Sequence, residues 1–169
     1  NGAGTGNIMW KIGYQGDFQL TQGDDSEWFY AQHYPNLIAE DATTATFAVM
    51  DNGDGRVVDL AGDRCGNPGQ PNCYSRALMF KIDKQAMTMS KIWEFRPGFY
   101  SSWGGFIQVL PDGDIDVDFS QDGPNPAGGS TAFELPQVSS PKAVVQLTTS
   151  GAAAYRAFRL PSLYPGVQW

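Results

Sequence analysis

Histidine is almost missing from this sequence. His33 stands alone, so the serines have at most one imidazole to serve as a base, and no Gly-x-Ser-x-Gly or other local nucleophile signature accompanies them. Charge is scarce as well: 17% of residues are charged against a usual fraction of about 25%, while 41% are hydrophobic and 13% aromatic, a balance that excludes a disordered or coiled-coil chain. Basic residues are outnumbered, 11 to 18, for a net charge of −7, and no dense Lys/Arg cluster is present to track phosphates, which argues against a nucleic-acid partner. No apolar run approaches the ~18–20 residues of a membrane-spanning helix. The start, Asn1-Gly2-Ala3-Gly4-Thr5-Gly6, has neither an initiator methionine nor a signal-peptide core, so the expectation is a processed chain or part of a longer product. Cysteine is limited to two residues. A chain of 169 residues buries roughly 70% of its unfolded surface in a single domain, so it needs neither a metal nor a dense disulfide framework merely to fold.

What is abundant is punctuation. Gly 20 and Pro 11 make up about 18% of the chain, against a usual sum of about 12%, and long helical periodicity is lacking. Cys65 and Cys73 bracket Gly-Asn-Pro-Gly-Gln-Pro-Asn, a loop of turn formers that can bring the two thiols together; the reading is one disulfide and an exported protein, with two free thiols or half of a metal site as alternatives. Short runs of β-branched and aromatic residues closed by Gly, Pro, Asn or Asp predict strands at 7–12, 46–50, 77–82, 89–95, 106–110, 115–119, 131–135, 143–147 and 155–160. The clearest hairpin turns at Pro111-Asp112-Gly113. A loose repeat underlies the series: a strand, a loop, then a strand leading into a conspicuous polar position, namely His33, Gly104-Gly105 and Tyr155-Arg156. Repeats of about 40–50 residues with four strands each are β-propeller blades, and at that size the chain holds three to four of them, part of a ring. A β-sandwich fits the same strand spacing.

Several residues could carry chemistry. His33 lies in an unusually aromatic stretch from Trp28 to Asn36; it is either a satisfied structural histidine or, most economically, itself a nucleophile whose neutral imidazole attacks an electrophilic centre. Trp28, Tyr30, Tyr34, Phe99, Tyr100 and Trp103 surround it in sequence and suit an apolar slot for a phenol, or packing between blades. Asp112, Asp114, Asp116 and Asp118 alternate, which puts them on one face of a strand. The favoured reading of that comb is solvent-facing carboxylates beside an Asp-Gly turn, with calcium as the alternative, also at Asp51-Asn52-Gly53-Asp54; neither has EF-hand spacing, and otherwise no cofactor or metal is expected.

Gln32-His33, then Asp51-Asn52-Gly53, Tyr74-Ser75-Arg76-Ala77, Phe80-Lys81-Ile82-Asp83, Ile92-Trp93-Glu94 and Phe99-Tyr100-Ser101 together resemble the C-terminal part of the bacterial arylsulfotransferase (aryl-sulfate sulfotransferase) family. The opening 6–13 and the closing 159–165 are similar to its exported, propeller-forming branch, so the order of motifs covers nearly the whole chain. The resemblance implies an all-β, six-bladed propeller of which residues 1–169 form one C-terminal portion, the N-terminal blades being missing or supplied by another chain through 1–12 and 155–169. It implies a periplasmic or extracellular site, and transfer of a sulfuryl group from a phenolic sulfate to a phenol without a nucleotide donor. In that family the histidine of the Gln-His motif forms a sulfohistidine, and here that position is His33. Further family histidines and an arginine come from earlier blades, and this sequence has no second histidine. Its local cationic candidates are Arg76, Arg96 and Arg156, each of which could instead be a surface or ion-pairing residue. Tyr30, Tyr34, Tyr100, Trp103 and Arg76 are the expected substrate-binding residues. Gly104-Gly105 departs from the small hydroxyl residues expected of family members near the site. The rival expectation is a non-catalytic, propeller-derived subunit of an extracellular assembly, which keeps the scaffold without the chemistry.

Overall fold

In the computed structural model, which describes residues 6–57, 64–65, 73–120 and 128–160, nine strands form two sheets. The first sheet comprises β1 (Gln19–Leu20), β2 (Gln32–Glu40), β3 (Thr44–Asp51), β4 (Arg76–Asp83) and β5 (Thr88–Phe95) in the order β1-β5-β4-β3-β2. The second comprises β6 (Phe106–Val109), β7 (Ile115–Phe119), β8 (Gly129–Leu135) and β9 (Val145–Ser150) in sequential order. β2 to β5 and β6 to β9 are two antiparallel four-stranded meanders; the short β1 is added parallel to β5. The chain is therefore all-β with blade-like sheets. Blade arithmetic gives three to four units, and the described residues build two, because the described residues before β2, between β3 and β4, and after β9 lie outside the meanders.

Period-2 alternation explains how the layers stack. Ala48, Met50, Ala77, Met79 and Trp93 face the second sheet and pack on Ile107, Ile115, Val117, Phe119, Phe133 and Leu135. Their neighbours in sequence, Ala45, Val49, Leu78, Phe80, Ile82 and Met89, face the other way and are covered by Phe18, Trp28, Phe29 and Tyr30. β3 and β4 are thus buried on both faces, which is why 44–51 and 76–83 read as nearly continuous apolar runs. A buried ion network ties this sheet to the loop before β2. Asp51 accepts from Arg56 Nη2 at 2.6 Å, from Arg76 Nε at 2.8 Å and from the Tyr30 amide at 2.9 Å, and all three charged side chains are fully buried.

Most predicted strands are present with shifted ends, and three expectations change. Residues 7–12 carry no strand; Ile8 and Met9 are exposed. Residues 155–160 are not a strand either but an extended segment lying across the second sheet, held where Gly105 N and Ser120 Oγ both donate to the Tyr155 carbonyl, at 3.1 and 2.8 Å. Strand β2, the longest in the molecule, was hidden in sequence by Pro35 and by its mixture of aromatic, polar and aliphatic residues. Cys65 and Cys73 form the expected disulfide, Cα to Cα 5.4 Å, although the loop 66–72 between them lies outside the described residues, as do 1–5 and 161–169 of the expected inter-blade segments.

Candidate functional site

His33 occupies the start of β2, and the backbone there is irregular in a way that aims it. Ala31 and Tyr34, neither of them glycine, adopt φ of 49°, a left-handed conformation that costs roughly 1–2 kcal/mol per residue. Pairing with β3 slips between His33 and Asn36, a bulge of the sort that re-aims side chains beside functional sites. His33 pairs with Met50, and alternation puts Met50 and Asn52 on one face, so the imidazole meets the Asn52 side chain at the end of β3.

That contact fixes the state of the ring. His33 Nδ1 lies 2.7 Å from Asn52 Oδ1, and Asn52 Nδ2 donates to the Ser101 carbonyl at 2.7 Å. With the Asn52 amide nitrogen committed to a carbonyl, its oxygen must face the histidine; Nδ1 therefore carries a proton, and the neutral ring has its lone pair on Nε2. Ser75 braces the arrangement: its hydroxyl bonds the Asn52 carbonyl at 2.7 Å and accepts from the Ser101 amide at 2.7 Å. Asn52, Ser75 and Ser101 are all fully buried, whereas the imidazole is half-buried and its Nε2 has no hydrogen-bond partner among the described residues.

An aromatic group lies beside His33. Tyr155 meets the imidazole edge-on, 6.1 Å between centroids, and Trp103 stacks on Tyr155 at 6.2 Å. Tyr34 packs on Phe106 and Phe158, and the Arg156 guanidinium lies over both Tyr34 and Tyr155, 4.8 and 4.9 Å from their centroids. Gly104 and Gly105 let this loop close on the site: a Cβ on Gly104 would fall 2.3 Å from Ser120 Oγ, and one on Gly105 2.8 Å from the Asp118 carbonyl and from Met50. Close backbone approach is what the glycine pair provides where a hydroxyl was expected.

Of the substrate-binding residues expected from sequence, Tyr34 and Trp103 lie in this group. Arg76 does not. Its Nε bonds Asp51, its Nη1 bonds Glu27 and Glu94, and its Nη2 bonds two backbone carbonyls, so desolvation and ion pairing use every donor inside the protein. Tyr30 sits in the apolar layer on the opposite face, its hydroxyl bonded to the Asp25 carbonyl at 2.8 Å. Tyr100 is buried with its hydroxyl bonded to Asp54; burial and that carboxylate raise its pKa. Asn52, Ser101 and Tyr155 are the partners that sequence reasoning left out of the site. Asn52 and Ser101 stood in the quoted motifs, but only the fold shows that they meet His33.

The aspartate comb is also corrected. Asp116 and Asp118, expected in solvent, are 9% and 1% exposed, because the 155–160 segment covers the face of β7 they share. Burial, then the neighbouring Asp116 carboxylate, push the Asp118 carboxyl up to about 7, and neither of its oxygens makes a hydrogen bond of good geometry. Asp112, Asp114 and Glu134 approach one another closely enough to share a cation, toward the turn end of the same face, where Glu134 is also paired with Arg159.

The half-buried imidazole of His33, its Nδ1 bonded to Asn52, stands at the first strand of a blade-like meander beside the Tyr155 ring. The arylsulfotransferase (ASST) family model matches residues 2–158, nearly the whole chain, and the chain belongs to that family. Comparison with curated proteins gives no match. No helix among the described residues is long and apolar enough to cross a membrane.

Proposed function

We propose that this chain transfers a sulfuryl group from a phenolic sulfate to a phenol, with His33 as the nucleophile. The observation that carries this reading is the bond between Asn52 Oδ1 and His33 Nδ1, which leaves the Nε2 lone pair outward. In the first half-reaction Nε2 forms a bond to sulfur as the bond from sulfur to the aryl oxygen breaks, and the phenolate departs to be protonated by water. In the second, the acceptor's phenolic oxygen attacks sulfur, loses its proton to solvent, and the N–S bond breaks to return neutral imidazole. Asn52 supports both steps, since its oxygen accepts from Nδ1–H while the sulfurylated ring carries more positive charge. Trp103, Tyr34 and Tyr155 offer aromatic faces to the phenol ring. The family assignment and the disulfide support an exported, periplasmic or extracellular setting. We propose also that the two meanders are part of a six-bladed ring completed by further blades or another chain.

Incubation with a phenolic sulfate and no acceptor is expected to leave one sulfuryl group on His33, found by peptide mass spectrometry, and none in His33→Ala or His33→Asn. Transfer activity that survives in His33→Ala sinks the assignment. A second reading, a non-catalytic subunit of an assembly, draws on the exposed apolar residues Val145 and Leu147 of the edge strand β9 and Val144 just before it, which invite another chain; a folded chain that never takes the label favours it.

A further inference from the structure

Transfer of a sulfuryl group spreads negative charge over three oxygens, which calls for a positioned cation. Three arginines were candidates by sequence, and the structure separates them. Arg76 is fully engaged by Asp51, Glu27 and Glu94. Arg96 is paired with Glu94 at 3.3 Å and lies over the Tyr74 ring. Arg156 has no carboxylate within ion-pairing distance and no hydrogen-bond partner among the described residues, in a chain whose acidic residues outnumber its basic ones. Its Nε is buried and unpaired, an uncommon condition for a donor that lacks water.

Placement makes that guanidinium relevant to His33. The preceding carbonyl, that of Tyr155, is pinned by Gly105 N and Ser120 Oγ. The guanidinium is held between the Tyr155 ring, which touches the imidazole edge, and the Tyr34 ring, which follows His33 in the chain. With its central carbon over two rings, the guanidinium has little rotamer freedom left to lose, and its planar fork suits paired hydrogen bonds to two oxygens of a tetrahedral anion.

We infer that Arg156 is the anion anchor of the His33 site: it binds two oxygens of an aryl sulfate monoester and turns its sulfur toward Nε2. The inference rests on the sulfuryl-transfer reading for its substrate, but its test does not. Inorganic sulfate is titrated into the wild-type chain, and 4-nitrophenyl sulfate into His33→Asn, by calorimetry, each with and without Arg156→Gln. Affinity for both anions is expected to fall about tenfold or more in Arg156→Gln. Arg156→Lys, which keeps the charge and loses the fork, should fall between the two and replaces Arg156→Gln if circular dichroism shows that variant unfolded. Anion affinity indifferent to Arg156, or no anion binding by either parent protein, overturns the inference. An Arg156-dependent affinity in a protein whose His33 never accepts the label would keep the anchor and reject the transfer reading; a labelled His33 with Arg156-independent binding would do the reverse.

Discussion

A single amide decides what His33 can do. Were the Asn52 nitrogen free to turn, either imidazole tautomer would be accommodated; because that nitrogen is committed to the Ser101 carbonyl, only the Nδ1–H form is matched. Asn52→Ala removes the acceptor and leaves Nδ1–H without its partner as charge builds on the ring. Sulfuryl transfer is expected to fall about 10–100-fold, the range of a hydrogen bond to a charged group. His33→Asn by contrast abolishes labelling altogether. If Asn52→Ala labels His33 at the wild-type rate in a single-turnover assay, tautomer control by Asn52 is wrong. The sequence shows both residues and their types, but they are 19 positions apart and no local pattern joins them.

At the scale of elements, the Asp51 network binds β3 and β4 to the segment that leads into β2. Arg56 Nη1 donates to the Ser26 and Trp28 carbonyls, and Arg76 Nη2 to those of Glu27 and Trp28, so both guanidinium groups cap the backbone just before the strand that carries His33. Removing the one carboxylate between them leaves buried Arg56 without an anion and Arg76 with Glu27 and Glu94 alone. Asp51→Ala is expected to cost about 3–5 kcal/mol, read as a lower urea midpoint at unchanged slope; a loss below about 1 kcal/mol would mean that the arginines find other partners. Strands β3 and β4 were legible because their two-sided burial gives apolar runs, and β5 and β7 because apolar and polar residues alternate along them. Strand β2 was not legible, since its edge position leaves most of it exposed, and Pro35 sits at its bulge. Residues 155–160 have strand composition, but they lie across the face of β7 rather than along a sheet edge, held at the Tyr155 carbonyl by Gly105 N and Ser120 Oγ.

For the whole molecule, two opposed sets of carboxylates shape stability against pH. At Glu27, burial alone would raise the pKa, but hydrogen bonds from Lys91 and Arg76 outweigh it and hold the group at about 2. Its folded pKa lies below the unfolded one, so its contribution is present above pH ~4.5 and is lost as the pH falls toward 2. Asp118 works in the other direction. With a folded pKa of about 7 against 3.8 unfolded, the native state holds a proton that the unfolded chain releases, and stability declines as the pH rises from about 4 to 7 and then levels off. Asp118→Asn is expected to be close to wild type near pH 4 and more stable by about 1–3 kcal/mol at pH 8, because the neutral amide avoids the cost of burying an ionised carboxylate beside Asp116. Equal unfolding free energies for the two proteins at pH 8 would show that the carboxylate is already solvated beneath the 155–160 segment.

The sequence by itself determined the all-β class, the strands of the doubly buried layers, the disulfide between Cys65 and Cys73 and the family, because each of these is written in local alternation, turn residues or motif order. Only the tertiary structure decided which of three arginines is free of a carboxylate, which carbonyl commits the Asn52 amide, and that Asp116 and Asp118 lie under a covering segment. Those outcomes depend on contacts between residues far apart in the chain, and a side chain's charge, tautomer and solvation are set by what the fold brings against it.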